Sequence, residues 1–380
     1  MSVDGQADSV CQRLQKEVVE PLRRRFVGRD EVIHLIAVAG VAREHLFLYG
    51  PPGTAKSALI REFGQAVQGR YFEYMLTRFS EPNEIFGPIN IAQLREGRVV
   101  TVTTGMLPEA EFVFLDELFN ANSAILNNLL TVLNERVYRR GLETHRLPLL
   151  SLFSASNHLP EDDALRALFD RFLLRCPVKS LPREAMASLL RAGWDLESLA
   201  PLHSSVTTED LNRLSAQIGQ VDLTPILEPY MELVLKIRDL GIAFSDRRAV
   251  KVLKLVAASA LICGRSRPEP SDLWVLRYCW DSEEQIEPLA SLVNGFLERQ
   301  DREEGRHPLA SVPNLPSAEE LARQLETLEK QVQEKGLSLT ALARLKESLA
   351  GLADQAAWLP DVRTRQHLLD KTRHCLEKIG

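Results

Sequence analysis

Residues Gly50-Pro51-Pro52-Gly53-Thr54-Ala55-Lys56-Ser57 follow a short apolar run, Leu46 to Tyr49, and precede a helical run that begins Ala58-Leu59-Ile60. A loop between a strand and a helix points backbone N–H groups and the helix N-terminus at one place, which suits phosphates. There the Lys56 ammonium reaches terminal phosphates and the Ser57 hydroxyl takes Mg²⁺. The strict pattern has Gly immediately before the Lys, and this chain has Ala55. Alanine still lets the backbone approach if its φ is negative.

Further on, Phe112-Val113-Phe114-Leu115-Asp116-Glu117 is an apolar strand ending in two carboxylates. Asp116 is suited to hold Mg²⁺ through water, and Glu117 to polarise an attacking water. An inert binder needs only the first acid, so the pair points to hydrolysis. A later strand ends in Ser154-Ala155-Ser156-Asn157, whose amide can orient a water beside Glu117. Arg166, Arg171 and Arg175 come next. Arg171, in Asp170-Arg171-Phe172 at a helix end, is best placed to reach across a subunit boundary to a γ-phosphate. Arg175 lies inside the next strand and reads as structural. Ser245-Asp246-Arg247-Arg248 opens a helix whose first-turn arginine could lean over a nucleotide.

Positioning these residues requires a parallel sheet. Strands are expected at Leu46 to Tyr49, Tyr71 to Leu76, Phe112 to Leu115, Leu149 to Ser154 and Leu173 to Val178, alternating with amphipathic helices. The β-branched run Arg98 to Gly105 is too polar for a central strand and reads as an inserted hairpin on the rim. After about Leu181 the pattern is helical. Ile226, Leu227, Tyr230, Leu233, Val234 and Ile237 share one face, and Val250, Leu253 and Ala257 share another. A charged connector with Pro308, Pro313 and Pro316 leads to a helical appendage. There Ser317 and Glu320 form a capping box, and Leu321, Leu325, Leu328 and Val332 make a stripe. Beyond Gly336 and the potential cap Ser338, Leu342, Leu345, Leu349 and Leu352 continue it, and Pro360 precedes a last helix. The expected units are 1–180 for the α/β part, 181–300 for the helical part and 301–380 for connector and appendage.

The chain has 380 residues, enough for two or three domains, with 45% apolar and 26% charged residues. A net charge of -6 disfavours a general nucleic-acid binder. Five scattered cysteines, Cys11, Cys176, Cys263, Cys279 and Cys375, indicate neither a disulfide framework nor a zinc knuckle. No apolar stretch approaches the roughly 20 residues of a membrane span, and no signal pattern opens the sequence, so a cytoplasmic, reduced protein is expected. Spacings for a catalytic zinc site, a serine-hydrolase elbow or a guanine-recognition motif are missing, which leaves adenine nucleotide as the better choice.

Taken in order and spacing, Gly50 to Ser57, Val113 to Glu117, Asn157, Asp170-Arg171-Phe172 and Ser245-Asp246-Arg247 resemble an AAA+ ATPase of the MoxR family. The Ala55-Lys56-Ser57 ending, Leu133 to Arg136, Tyr138 to Gly141 and Ala155 to Pro160 resemble its RavA-like branch. The resemblance covers roughly residues 15–290. It implies an α/β fold: a parallel-sheet P-loop AAA+ core, an αβα sandwich, with an all-helical lid. It makes Gly50 to Ser57 the Walker A loop and Val113 to Glu117 the Walker B strand, binding ATP with Mg²⁺ held by Ser57 and Asp116. It also makes Glu117, Asn157 and Arg171 catalytic, Arg171 acting in a neighbouring subunit. Val27 and Gly28 would lie near the adenine and Arg247 would be the lid sensor. A serine-proline-arginine-alanine run is usual at that sensor; Ser245-Asp246-Arg247-Arg248 leaves the choice between the two arginines open. Members form hexameric rings and act as chaperone-like remodellers, often with a von Willebrand factor A partner. The appendage lies outside the resemblance. Three functions follow: a remodeller of protein clients that moves the helical unit against the sheet, an ATP-gated scaffold whose tail recruits a partner, and, disfavoured by charge, a nucleic-acid motor.

Overall fold

The computed structural model describes residues 10–299 apart from 141–142, 161, 182–184 and 197–198, then 307–310, scattered positions between 321 and 349, and 362–379. Strands are β1 (Leu46–Tyr49), β2 (Tyr71–Met75), β3 (Phe112–Asp116), β4 (Val137–Arg140), β5 (Glu143–Arg146), β6 (Ser151–Ser156) and β7 (Leu174–Pro177). Five of them form one parallel sheet in the order β2-β3-β6-β1-β7. The chain runs to one side of β1 through β2, β3 and β6 and returns on its other side as β7. The loop after β1 therefore opens at the point where strand order reverses, where such sheets take ligands.

The helices are α1 (Glu20–Arg25), α2 (Asp30–Ala42), α3 (Lys56–Ala66), α4 (Pro82–Phe86), α5 (Ile91–Arg95), α6 (Ser123–Glu135) and α7 (Asp163–Phe169). Then follow α8 (Met186–Leu196), α9 (Thr208–Gln217), α10 (Thr224–Asp239), α11 (Asp246–Ile262), α12 (Ile286–Arg299) and α13 (Val362–Ile379). Alternation along the strands divides the sheet into two faces. Phe112, on one face, meets Phe63 of α3, and a side chain at Gly40 of α2 would also touch it. Phe47, on the other, packs on Phe119 and on Phe169 of α7. Helices thus cover both faces of an αβα sandwich. β6 is buried throughout although half of it is serine. Two of those hydroxyls meet the cost of burial by donating to backbone, Ser151 to the Glu44 carbonyl at 2.6 Å and Ser154 to that of Leu115 at 2.7 Å.

Three expectations need correction. Arg98 to Gly105 is no hairpin by itself. Thr101 makes one antiparallel bridge with Ile89, so the run is the returning arm of an insert that has α5 at its tip. The actual hairpin is β4-β5, where alternating long polar side chains hid the strands. On α11 the buried face runs through Val252, Leu255 and Val256, while Val250 is 68% exposed. The expected stripe was one step out of phase, because Val250 and Leu253 fit a helical period almost as well. Leu227 likewise points outward on α10, whose buried residues are Ile226, Tyr230, Leu233, Val234 and Ile237.

In the appendage Leu321, Leu325 and Leu349 pack with Leu368 and Cys375 of α13 as a small separate core, so the stripe covers itself. The Ser317–Glu320 capping box and Val332, Gly336, Ser338, Leu342, Leu352 and Pro360 lie outside the described residues, as do Pro313 and Pro316 of the connector.

The helical part is fastened to the sheet by a carboxylate between two arginines. Arg175, on β7, is fully buried, and burial pushes its pKa down to about 10. Its guanidinium lies 3.9 Å over the Phe169 ring and bonds the Trp280 carbonyl and Asp281 Oδ1. Arg248 of α11 donates to the same Oδ1 at 2.6 Å and to the Cys279 carbonyl at 2.7 Å. Removing the shared anion strands a buried cation. Asp281→Asn is expected to lower unfolding free energy by about 3 kcal/mol in urea titrations.

Candidate nucleotide site

β1 delivers the loop under tight steric control. A Cβ on Gly50 would stand 2.1 Å from the Val178 carbonyl oxygen, so only glycine fits between β1 and β7. Gly53, at φ +77°, faces open space where its backbone can lie against a ligand. Ala55 overturns the condition set on it: φ is 60° and ψ 24°, the left-handed region. The alanine was expected to replace glycine at negative φ. The turn into α3 keeps the glycine-type conformation and imposes it on a side chain, at roughly 1 kcal/mol. Lys56 and Ser57 occupy the first turn of α3. The Lys56 ammonium folds back on the loop, donating to the carbonyls of Gly50 at 2.9 Å and Pro51 at 2.8 Å. Burial lowers its pKa, partly offset by the charges of Asp116 and Glu117, and Arg29 lowers it further. That cation is half desolvated, and two of its acceptors are neutral carbonyls, the environment of a group waiting for an anion.

Sheet register sets the acids beside it. Asp116 pairs with Ala155, and Tyr49 with Ser156, so Gly50, Glu117 and Asn157 emerge at one edge of three adjacent strands. Asp116 accepts the Glu117 N–H at 3.0 Å. Glu117 is itself left-handed, φ 54° and ψ 48°, a second strained non-glycine residue within the site. Asn157 is exposed, and its Oδ1 lies 2.7 Å from Nδ1 of His158. Among the described residues no three His, Cys, Asp or Glu side chains form a metal cage. A hydroxyl (Ser57), a carboxylate (Asp116) and open space for phosphate oxygens instead suit Mg²⁺, which keeps its waters and takes few protein ligands.

A cavity of about 400 Å³ adjoins the loop on its β7 side. Tyr49, Pro51, Asn157, Lys179, Glu283 and Glu287 line it, whereas Lys56, Asp116 and Glu117 do not. The Tyr49 hydroxyl donates to Glu283 at 2.9 Å, joining the strand tip to the helical part. Nearby, a side chain on Gly28 would strike Leu181 at 2.5 Å, and Arg29 donates to the Lys179 carbonyl at 3.0 Å. Val27 and Gly28 thus stand at this end of the sheet. Tyr49, Lys179, Glu283 and Glu287 escaped sequence reading because they carry no local spacing signal. Only the tyrosine directly before Gly50 could have been flagged.

Arg171 is elsewhere. Leu46 pairs with Leu174, so the turn holding Arg171 lies at the amino end of β1 and β7, opposite the loop. The strand alone separates the two levels by about 10 Å. Asp170 pairs with Arg175 at 3.6 Å, not with Arg171, whose Nε is buried without a partner. Among the described residues Arg171 has no ion-pair partner. Arg247 joins it at that end. Arg248 is consumed by Asp281, leaving Arg247 exposed, and both Arg247 and Arg171 depress the pKa of Lys251 after burial, the main cause. Among the described residues no contact brings Arg247 to the loop of its own chain.

A phosphate loop at a strand-order reversal, paired acids at the end of β3 and a helical unit over the loop define the AAA+ class of ATPases. Residues 12–216 match the family described as the MoxR domain in MoxR–vWA–beta-propeller ternary systems, and residues 226–293 match the AAA lid domain. The chain belongs to the MoxR family. It is 38% identical over 270 residues to an uncharacterized protein of Methanocaldococcus jannaschii, covering 70% of this chain and 71% of that one. It is 26% identical over 278 residues to the chaperone MoxR1 of Mycobacterium tuberculosis, covering 68% and 72%. The solved structure of a candidate ATPase from Cytophaga hutchinsonii shares the fold, with TM-score 0.63 at 18% identity over 78% of this chain and 97% of that chain.

Ala55→Gly should relieve the loop strain. Unfolding free energy is expected to rise by about 1 kcal/mol, with nucleotide binding retained, by urea unfolding and nucleotide titration.

Proposed function

We propose that this protein hydrolyses ATP at a site shared between copies in a ring, six as the family resemblance implies, and uses turnover to remodel protein clients. The observation that carries the reading is the place of Arg171: without an ion-pair partner among the described residues, and at the end of the sheet opposite Lys56. An arginine so placed serves the nucleotide of a neighbour.

Within one copy the loop N–H groups and Lys56 bind the phosphates, drawing the ammonium off the carbonyls it now holds. The base and ribose occupy the region of Val27, Gly28 and the adjoining cavity. Ser57 and Asp116 would hold Mg²⁺, which would supply charge neutralisation at the phosphates. Glu117 accepts a proton from the attacking water, and Asn157 orients that water. The neighbour's Arg171 stabilises charge on the γ-phosphoryl group as it transfers to water and ADP leaves, and Arg247, beside Arg171, senses the same nucleotide from that side. A protein client is favoured by apolar side chains on and near the insert: Phe79 is 92% exposed, Ile91 67% and Val99 48%. The name of the matched family supports a von Willebrand factor A partner. Among the described residues no helix is long and apolar enough to cross a membrane, and we place the protein in the cytoplasm.

Glu117→Gln should lose turnover by at least about 100-fold while keeping ATP binding. Arg171→Ala should lose about 1000-fold. Mixing the two inactive variants should restore roughly a quarter of wild-type turnover, because junctions form that hold an intact acid and an intact arginine. A mixture as inactive as its components would refute the shared site.

A further inference from the structure

Two helices carry apolar stripes that the other described residues leave uncovered. On α8, Met186, Leu190 and Trp194 recur every four residues at 42%, 66% and 80% exposure. On α10, Leu227, Met231 and Leu235 repeat that spacing at 46%, 62% and 56%. Residues four apart line one face of a helix, so each helix presents a continuous apolar ridge to water. Scattered exposed leucines need no explanation, whereas two aligned triplets, one with an exposed tryptophan, mark contact surfaces.

The stripes flank different halves of the nucleotide site. α8 packs on α1, the helix leading to Val27 and Gly28, and follows Leu181, which fills the space beside Gly28. It belongs to the loop side. α10 belongs to the arginine side. Its Tyr230 hydroxyl donates to the Ala249 carbonyl at 2.6 Å, and Arg238, near its end, meets Asp246 at 2.6 Å, next to Arg247. α11 then carries Lys251 into the field of Arg171. If the arginine of one copy enters the loop side of the next, as the reading of Arg171 on which this inference rests requires, the contact is head to tail. Such a contact joins two different surfaces, one from each copy. Charge agrees. Arg191 adjoins Leu190 and Glu228 adjoins Leu227; both are exposed, and among the described residues neither has an ion-pair partner.

We propose that the Met186–Leu190–Trp194 ridge of one copy docks on the Leu227–Met231–Leu235 ridge of the next, with Arg191 facing Glu228. The occupant of each ridge is a second copy of this chain, and the junction so formed seats Arg171 over the neighbouring loop.

Sedimentation velocity and ATP turnover of the full chain across a concentration series test this. Trp194→Ser and Met231→Ser, at exposed positions, should keep the wild-type melting temperature. Each should raise the concentration at half-assembly about tenfold or more. Turnover should shift with assembly and recover at high concentration, because the reacting groups are intact. Arg191→Glu should weaken assembly, and Arg191→Glu with Glu228→Arg should restore it. Unchanged half-assembly in Trp194→Ser and Met231→Ser, or a double charge variant no better than Arg191→Glu, overturns the docking. Arg171→Ala separates this from the reading beneath it. If it abolishes turnover while the ridge variants assemble normally, the shared site stands and the ridges serve some other protein. If Arg171→Ala turns over at the wild-type rate, the shared site itself is wrong.

Discussion

One anion holds the two halves of this molecule in register. Asp281 Oδ1 accepts from Arg175, buried in β7, and from Arg248, in the first turn of α11. A fully buried guanidinium is tolerable only with its charge matched, which Asp281 does, while the Trp280 and Phe169 carbonyls accept from its two terminal nitrogens. The same contact decides which arginine is free. Arg248 is fixed inward, so Arg247, one residue earlier, projects to solvent in the neighbourhood of Arg171. It also carries the chain from Asp281 directly to Glu283, whose carboxylate takes the Tyr49 hydroxyl at the mouth of the loop.

Much of the site was legible because its chemistry is local. A phosphate loop must read strand, glycine-rich turn, lysine, helix, and an acid pair must end an apolar strand. The structure then adds what spacing cannot. That Gly50, Glu117 and Asn157 share one edge depends on β6 pairing both with β1, more than a hundred residues earlier, and with β3, 39 residues earlier. The condition placed on Ala55 failed because composition reports side-chain size and not backbone sign. β4 and β5 were missed because they pair only with each other, so nothing forces their sequence to be apolar. The phase error on α11 arose because 11 of its 17 residues are apolar, leaving little contrast between faces.

Two non-glycine residues of the site, Ala55 and Glu117, occupy left-handed backbone, and the lysine between them in space rests on the loop's own carbonyls. Such strain persists only where the surroundings impose it. Glu117 takes it where β3 gives way to the helical turn Leu118–Asn120. The loop with its lysine folded back is internally satisfied, so binding exchanges one set of polar contacts for another.

α2 has a consequence for motion. Every residue from Val32 to Ala42 is buried, because the sheet and α3 pack on one side while α9 and α11 pack on the other. A helix enclosed in this way is a party wall, common to both rooms. Opening the helical part away from the sheet would wet both sides of it, at about 25 cal/mol for each square ångström of apolar surface. A hinge swing of the kind that opens a jaw would bear that cost on both sides of the wall. In the proposed ring, the motion that keeps this wall dry is the turning of whole copies against one another, each copy a rigid tooth.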